Sequence, residues 1–168
     1  MYKRQLLAGE AAAALAEPCH LLFWNPVLQG KAVAQQFLRL KAAAEWASGD
    51  GKAATAWVKA ELAAGRQVEI AGYALDPALM QSLEAAALKP GAGSGRHLVW
   101  LEASGSSGDA TLSPAAQAQL PRWQAAGYQV RAQAVAGPAF WQTVEIEDAP
   151  ALIDATVEML AAGERVSP

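Results

Sequence analysis

At 168 residues, 53% apolar and 17% charged, the chain is long enough for one domain with a sizeable core and too apolar to be disordered throughout. A net charge of −3 without a basic stripe argues against nucleic acid as the main partner. Cys19 is the single cysteine and has no ligand cluster around it, so neither an internal disulfide nor a metal site is expected.

The opening residues Met1-Tyr2-Lys3-Arg4-Gln5 read as an in-frame translation of a transposase adapter used in sequencing libraries, GTG-TAT-AAG-AGA-CAG with GTG as start. On that reading the first natural residue is near Leu6, and an N-terminal half of the same domain lies upstream. Leu6 to Ala16 is alanine-rich and apolar nearly all round, which predicts a buried helix ended by Pro18. Leu21-Leu22-Phe23-Trp24 is a continuous apolar run closed by Asn25-Pro26, the pattern of a strand buried on both faces of a parallel sheet. A long helical region follows, with Val33, Phe37, Leu40 and Ala44 at helical spacing and a break at Ser48-Gly49-Asp50-Gly51. Its second helix carries Trp57, Val58 and Leu62 and stops at Gly65.

Val68 to Ala71 alternates, and Gly72 to Leu75 leads to Asp76-Pro77, an N-cap with proline at the first helical position. Leu79, Met80, Leu83 and Ala87 form the expected buried stripe of that helix. Pro90 to Gly95 is a Gly-rich joint without phosphate-loop spacing. His97 to Leu101 predicts a second buried strand, and Ala103 to Asp109 a Gly/Ser loop. Ser113-Pro114 opens a helix ending at Gly127, which Pro121 should kink or split. From Tyr128 to Ala134 apolar and polar residues alternate, so this strand is expected at an edge with one wet face. Pro150 starts a final helix with Leu152, Ile153, Thr156, Val157 and Leu160 on one side. Strands alternating with helices predict a parallel α/β sheet with right-handed crossovers. No apolar run reaches membrane-spanning length and no signal peptide is recognisable, so a cytoplasmic protein without a transmembrane segment is expected.

Leu22-Phe23-Trp24-Asn25-Pro26-Val27-Leu28-Gln29-Gly30-Lys31 with Gln36-Phe37-Leu38-Arg39-Leu40-Lys41, then Val68-Glu69-Ile70-Ala71-Gly72-Tyr73, and finally Gly137-Pro138-Ala139-Phe140-Trp141-Gln142-Thr143, together resemble the exosortase A system-associated hydrolases of the second type. These are α/β-hydrolase-fold proteins encoded with bacterial exopolysaccharide and protein-sorting machinery, and the resemblance runs from about Leu6 to Leu160. It implies that residues 6–168 are the C-terminal part of one α/β-hydrolase domain. The strand at Leu21 would be the sixth of that sheet, residues 31–90 a helical lid-like insertion, and the strands at His97 and Tyr128 the seventh and eighth. The nucleophile elbow would precede Leu6.

A hydrolase of this fold needs a nucleophile, an acid and a histidine in that chain order. The chain has no G-x-S-x-G turn; Ser94 and Ser104 to Ser107 sit in Gly-rich loops without its spacing. Glu102 and Asp109 are the alternative candidates for the acid, whose task would be to orient a histidine; both also suit surface-loop positions. His20 and His97 each precede a strand, the wrong edge of a parallel sheet for catalysis. Trp24, Asn25, Phe140, Trp141 and Gln142 follow strands. They would line a pocket for a small-molecule or acylated substrate, or else pack a lid on the sheet. Two functions are therefore expected: an ester or thioester hydrolase when complete, without metal or cofactor, or a non-catalytic protein of the same fold that holds an acylated or lipid-linked partner.

Overall fold

The computed structural model describes residues 2–15, 17, 19–45, 51–105, 110–139 and 147–164. The chain is α/β, with a three-stranded parallel sheet and, among the described residues, six α-helices. It divides into two compact units. One joins Val27–Lys89 to the segment through Leu7, and the other joins Ala8–Pro26 to the chain from Pro90 onward.

The sheet unit contains α1 (Ala8–Ala14) and β1 (Leu21–Trp24). The helical unit follows, with α2 (Gly30–Ala44), α3 (Gly51–Ala63), β2 (Val68–Ile70), β3 (Tyr73–Leu75) and α4 (Pro77–Ala85). Returning to the sheet unit, the chain forms β4 (His97–Ala103), α5 (Pro114–Ala125), β5 (Gln129–Val135) and α6 (Pro150–Glu164).

The sheet order is β1-β4-β5 with both pairs parallel, as the alternation of strands and helices predicts. The central strand β4 is buried through Leu98–Glu102, whereas β5 is mostly half-exposed and lies at an edge, as its alternation predicts. β1 forms the other edge with only Phe23 buried, against the expected burial on both faces, because it has β4 alone as a neighbour among the described strands. Period-two geometry sends successive side chains to opposite faces. One face packs rings: Phe23 lies edge-on to Trp100 and Trp123 at 6.0 and 5.8 Å, and Trp123 meets Tyr128 at 4.9 Å. The other face packs Val99, Leu101 and Val135 beneath Ala149, Leu152 and Ala155 of the α6 region.

Local signals explain the helix ends. Asp76 caps α4 by accepting the Ala78 N–H at 2.8 Å, with Pro77 at the first helical position. Gly65 and Gly127, at φ 77° and 93°, each terminate a helix in a Schellman motif. In the first, Arg66 N–H reaches Glu61 O and Gly65 N–H reaches Leu62 O; in the second, Tyr128 N–H reaches Trp123 O and Gly127 N–H reaches Gln124 O. The Trp123–Tyr128 ring pair seals the second motif and aims the chain into β5. α5 runs unbroken through Pro121, against the expected split. Proline inside a helix costs roughly 3 kcal/mol; strong caps at both ends, Ser113 and Gly127, hold this helix together.

Several expected faces turn out differently. Leu6 is buried, but Leu7 and Leu15 are exposed, so the first helical segment is covered on one side alone. It begins as a 3-10 helix over Tyr2–Leu7; Pro18 lies outside the described residues. α2 buries Val33, Ala34, Phe37 and Leu38 and exposes Leu40. α4 buries Met80 and exposes Leu79, while α6 buries Leu152 and exposes Ile153, Val157 and Leu160. Each of these helices carries apolar residues outside its buried arc as well as within it, so apolar spacing alone does not select the inward side. The run from Val68 to Leu75 forms a two-stranded antiparallel hairpin in place of a single alternating stretch. Its loop is Ala71-Gly72, with φ 51° and 77°, the two positive φ values of a type I′ turn. Alanine in that conformation costs roughly 1–2 kcal/mol. Ser48 to Asp50 lie outside the described residues.

Candidate functional site

The carboxyl edge of the sheet is where a parallel α/β fold gathers its chemistry. Here the ends of β1 and β4 and the start of α5 border an open cleft of about 330 Å3, lined by Asn25, Pro26, Glu102, Ser104, Thr111 and Ser113. Two of the residues predicted for a site, Asn25 and Glu102, are brought together in it.

Glu102 is the last buried residue of β4, on the same face as Trp100. Its Oε2 accepts the Ser113 backbone N–H at 2.7 Å. Its Oε1 accepts the Ser113 hydroxyl at 3.0 Å and the Trp100 indole N–H at 3.2 Å. Ser113 in turn accepts the Ala116 N–H on Oγ at 3.1 Å. The arrangement works as a capping box closed through space: serine serves the third helical N–H, and a carboxylate from another element serves the N–H of the cap itself. An acid at a helix N-terminus also gains from the helix dipole. Both carboxylate oxygens are thus occupied by structural donors.

Asn25 sits at φ 41°, where Asn is among the few non-glycine residues commonly found. Its backbone N–H continues the ladder to Leu101 O at 2.8 Å. Its side-chain amide then copies a strand residue: Oδ1 accepts the Ala103 N–H at 2.8 Å, and Nδ2 donates to Ala103 O at 3.3 Å. Strand β1 turns away at Pro26, and this side chain satisfies the groups on β4 that the backbone no longer reaches. Trp24 is half-buried over the α6 face, and its indole N–H donates to Thr156 Oγ1 at 3.0 Å. Thr156 donates onward to Leu152 O at 2.7 Å, so the ring is tied to the helix.

Of the remaining predicted residues, Asp109, Phe140, Trp141 and Gln142 lie outside the described residues. His20 and His97 stand at the amino edge, at the opposite end of the strands from the cleft, with ring centroids 4.7 Å apart. The described carboxyl edge therefore combines a buried carboxylate, an amide and three hydroxyl-bearing residues, Ser104, Thr111 and Ser113, without an imidazole. Sequence reading missed Ser113 and Thr156 as partners of Glu102 and Trp24. The Ser113-Pro114 pair marks a helix start, but a hydrogen bond between residues 102 and 113 has no sequence signature.

No helix among the described residues is long and apolar enough to cross a membrane. Compared with known proteins, the chain matches no family model, no curated protein and no solved structure.

Proposed function

We propose that this chain is part of a hydrolase-like α/β protein of a bacterial exopolysaccharide and exosortase system, acting on an ester or thioester when complete. The observation that supports the reading is Glu102: a buried carboxylate at the carboxyl end of the central parallel strand, facing an open cleft, with a compact helical unit between the first two strands of the sheet. That is the place from which an acid orients a histidine in such hydrolases. On this reading the helical unit is a lid, and Trp24 and Asn25, with Phe140, Trp141 and Gln142, border the substrate.

A second reading is favoured by the bonding of that same carboxylate. Glu102 serves Ser113 and Trp100 through both oxygens, and the two described histidines lie at the other edge. Such a site holds a partner without turning it over, as a binding protein of the same fold would. The two readings part in one experiment. The chain alone is assayed on short acyl esters, beside a version extended upstream in its natural reading frame. The expected result is no turnover above background for the chain alone. Hydrolysis by the extended protein, abolished by replacing a Ser, Cys or Asp at its strand-to-helix turn, supports the enzyme. A non-nucleophilic residue at that turn supports the binder, and saturable hydrolysis by the chain alone contradicts both.

A further inference from the structure

The amino edge of the sheet bears a second cavity, of about 430 Å3, within the size range of small-molecule sites. Parallel register builds it in layers. Leu21 pairs with Leu98 and His97 with Gln129, which puts His20, His97 and Gln129 in one row across the three strands. Two residues further on, the same face carries Leu22, Val99 and Arg131, paired in that order. The last turns of α6 add Met159 and Leu160 as a wall.

The polar and apolar parts of this lining are separated. Leu22, Val99, Met159 and Leu160 form an apolar bed, with Leu22 37% and Leu160 51% exposed. Among the described residues, Arg131 is the one lining residue with a permanent charge, and no carboxylate lines the cavity. Its guanidinium is held in place by donating to Met159 O at 3.1 Å and Ala162 O at 3.3 Å, which uses two of its five N–H donors. The His20 Nδ1 accepts the His97 backbone N–H at 3.0 Å, so the neutral His20 ring carries its proton on Nε2, as a donor. The polar end thus offers one fixed cation and neutral donors. Because the helix-end carbonyls already draw on that cation, it suits a single negative charge better than a double one.

We propose that this cavity binds a medium-chain carboxylate, with its head on Arg131 beside His97 and Gln129 and its chain over Val99 and Leu22 toward Leu160. The site is at the opposite edge of the sheet from Asn25 and Glu102, so it stands or falls independently of the hydrolase reading. Calorimetric titration of the whole chain with decanoate, decanol and decyltrimethylammonium tests it. Saturable 1:1 binding of decanoate is expected, with the other two at least about tenfold weaker, since each tenfold corresponds to about 1.4 kcal/mol. Arg131→Gln should weaken decanoate about tenfold by removing the cation. Leu160→Glu, at a solvent-exposed position that spares the fold, should weaken it similarly by removing part of the bed and setting a hydrated charge where the chain's apolar end lies. Absence of saturable decanoate binding by the folded wild-type chain overturns the proposal. So does equal binding of all three amphiphiles, or wild-type affinity in Leu160→Glu, whatever the fate of the arginine variant.

Discussion

The two edges of the parallel sheet use polar side chains in opposite ways. At the carboxyl edge, Asn25 and Glu102 are buried or half-buried and spend their hydrogen-bonding capacity on backbone and capping groups. At the amino edge, His20, His97, Gln129 and Arg131 line a cavity beside exposed leucines. The difference follows from chain direction. β1 turns off at the carboxyl edge and α5 starts beneath it, leaving strand amides and helix N–H groups that need acceptors. The amino edge carries helix C-terminal carbonyls, which Arg131 answers with part of its donor set. A polar residue at the expected catalytic edge is therefore not evidence of catalysis until its partners are known.

The sharpest way to break this comparison is Glu102→Ala. It leaves the Ser113 N–H and the Trp100 indole N–H without their acceptor, and a loss of about 3 kcal/mol in urea denaturation is expected. Wild-type stability in that variant would mean the carboxylate is free for another task. Next in size is Asn25→Ala, which removes the amide clamp on Ala103 and puts alanine at positive φ. We expect a loss of about 2 kcal/mol and faster hydrogen exchange at the Ala103 amide. Asn25→Gly keeps the backbone conformation accessible and should lose about half as much. If the two variants are equal, the strain argument at position 25 fails.

At the amino edge, Arg131→Gln should cost about 1 kcal/mol, because it uncovers the α6 carbonyls without burying an unpaired group. A loss as large as that of Glu102→Ala would erase the contrast between the edges. The smallest effect belongs to an exposed pair in the helical unit. The Arg66 guanidinium hydrogen-bonds the Glu61 carboxylate at 2.6 Å and, with its charge, holds that carboxyl below its ordinary value; slight desolvation opposes this. Arg66 is pushed further upward by the same bond and charge. Because Glu61 is depressed in the folded state, the pair's stabilisation is present above the ordinary glutamate range and is lost as pH falls through the folded value. Carbon NMR titration of Glu61 should show this, with Arg66→Gln restoring the ordinary value and barely moving the denaturation midpoint.

Much of the architecture was legible in residues that act locally. The continuous apolar run at His97–Leu101, against alternation from Tyr128 to Ala134, told the buried central strand from an edge strand, since burial on one face or two leaves different periods. The equally apolar run at Leu21–Trp24 nonetheless lies at the other edge with only Phe23 buried. Asp76-Pro77, Ser113-Pro114, Gly65 and Gly127 announced helix ends, because capping depends on a few neighbouring atoms. Tertiary structure alone decided the rest. Whether Leu38 or Leu40, Leu152 or Ile153 faces inward depends on the element each helix meets, because apolar burial is non-directional. The pairing of Asn25 with Ala103, 78 residues apart, and the row of His20, His97 and Gln129 arise from strand register. Register is a relation between distant segments, and it determines which polar groups the backbone consumes and which it leaves for a ligand.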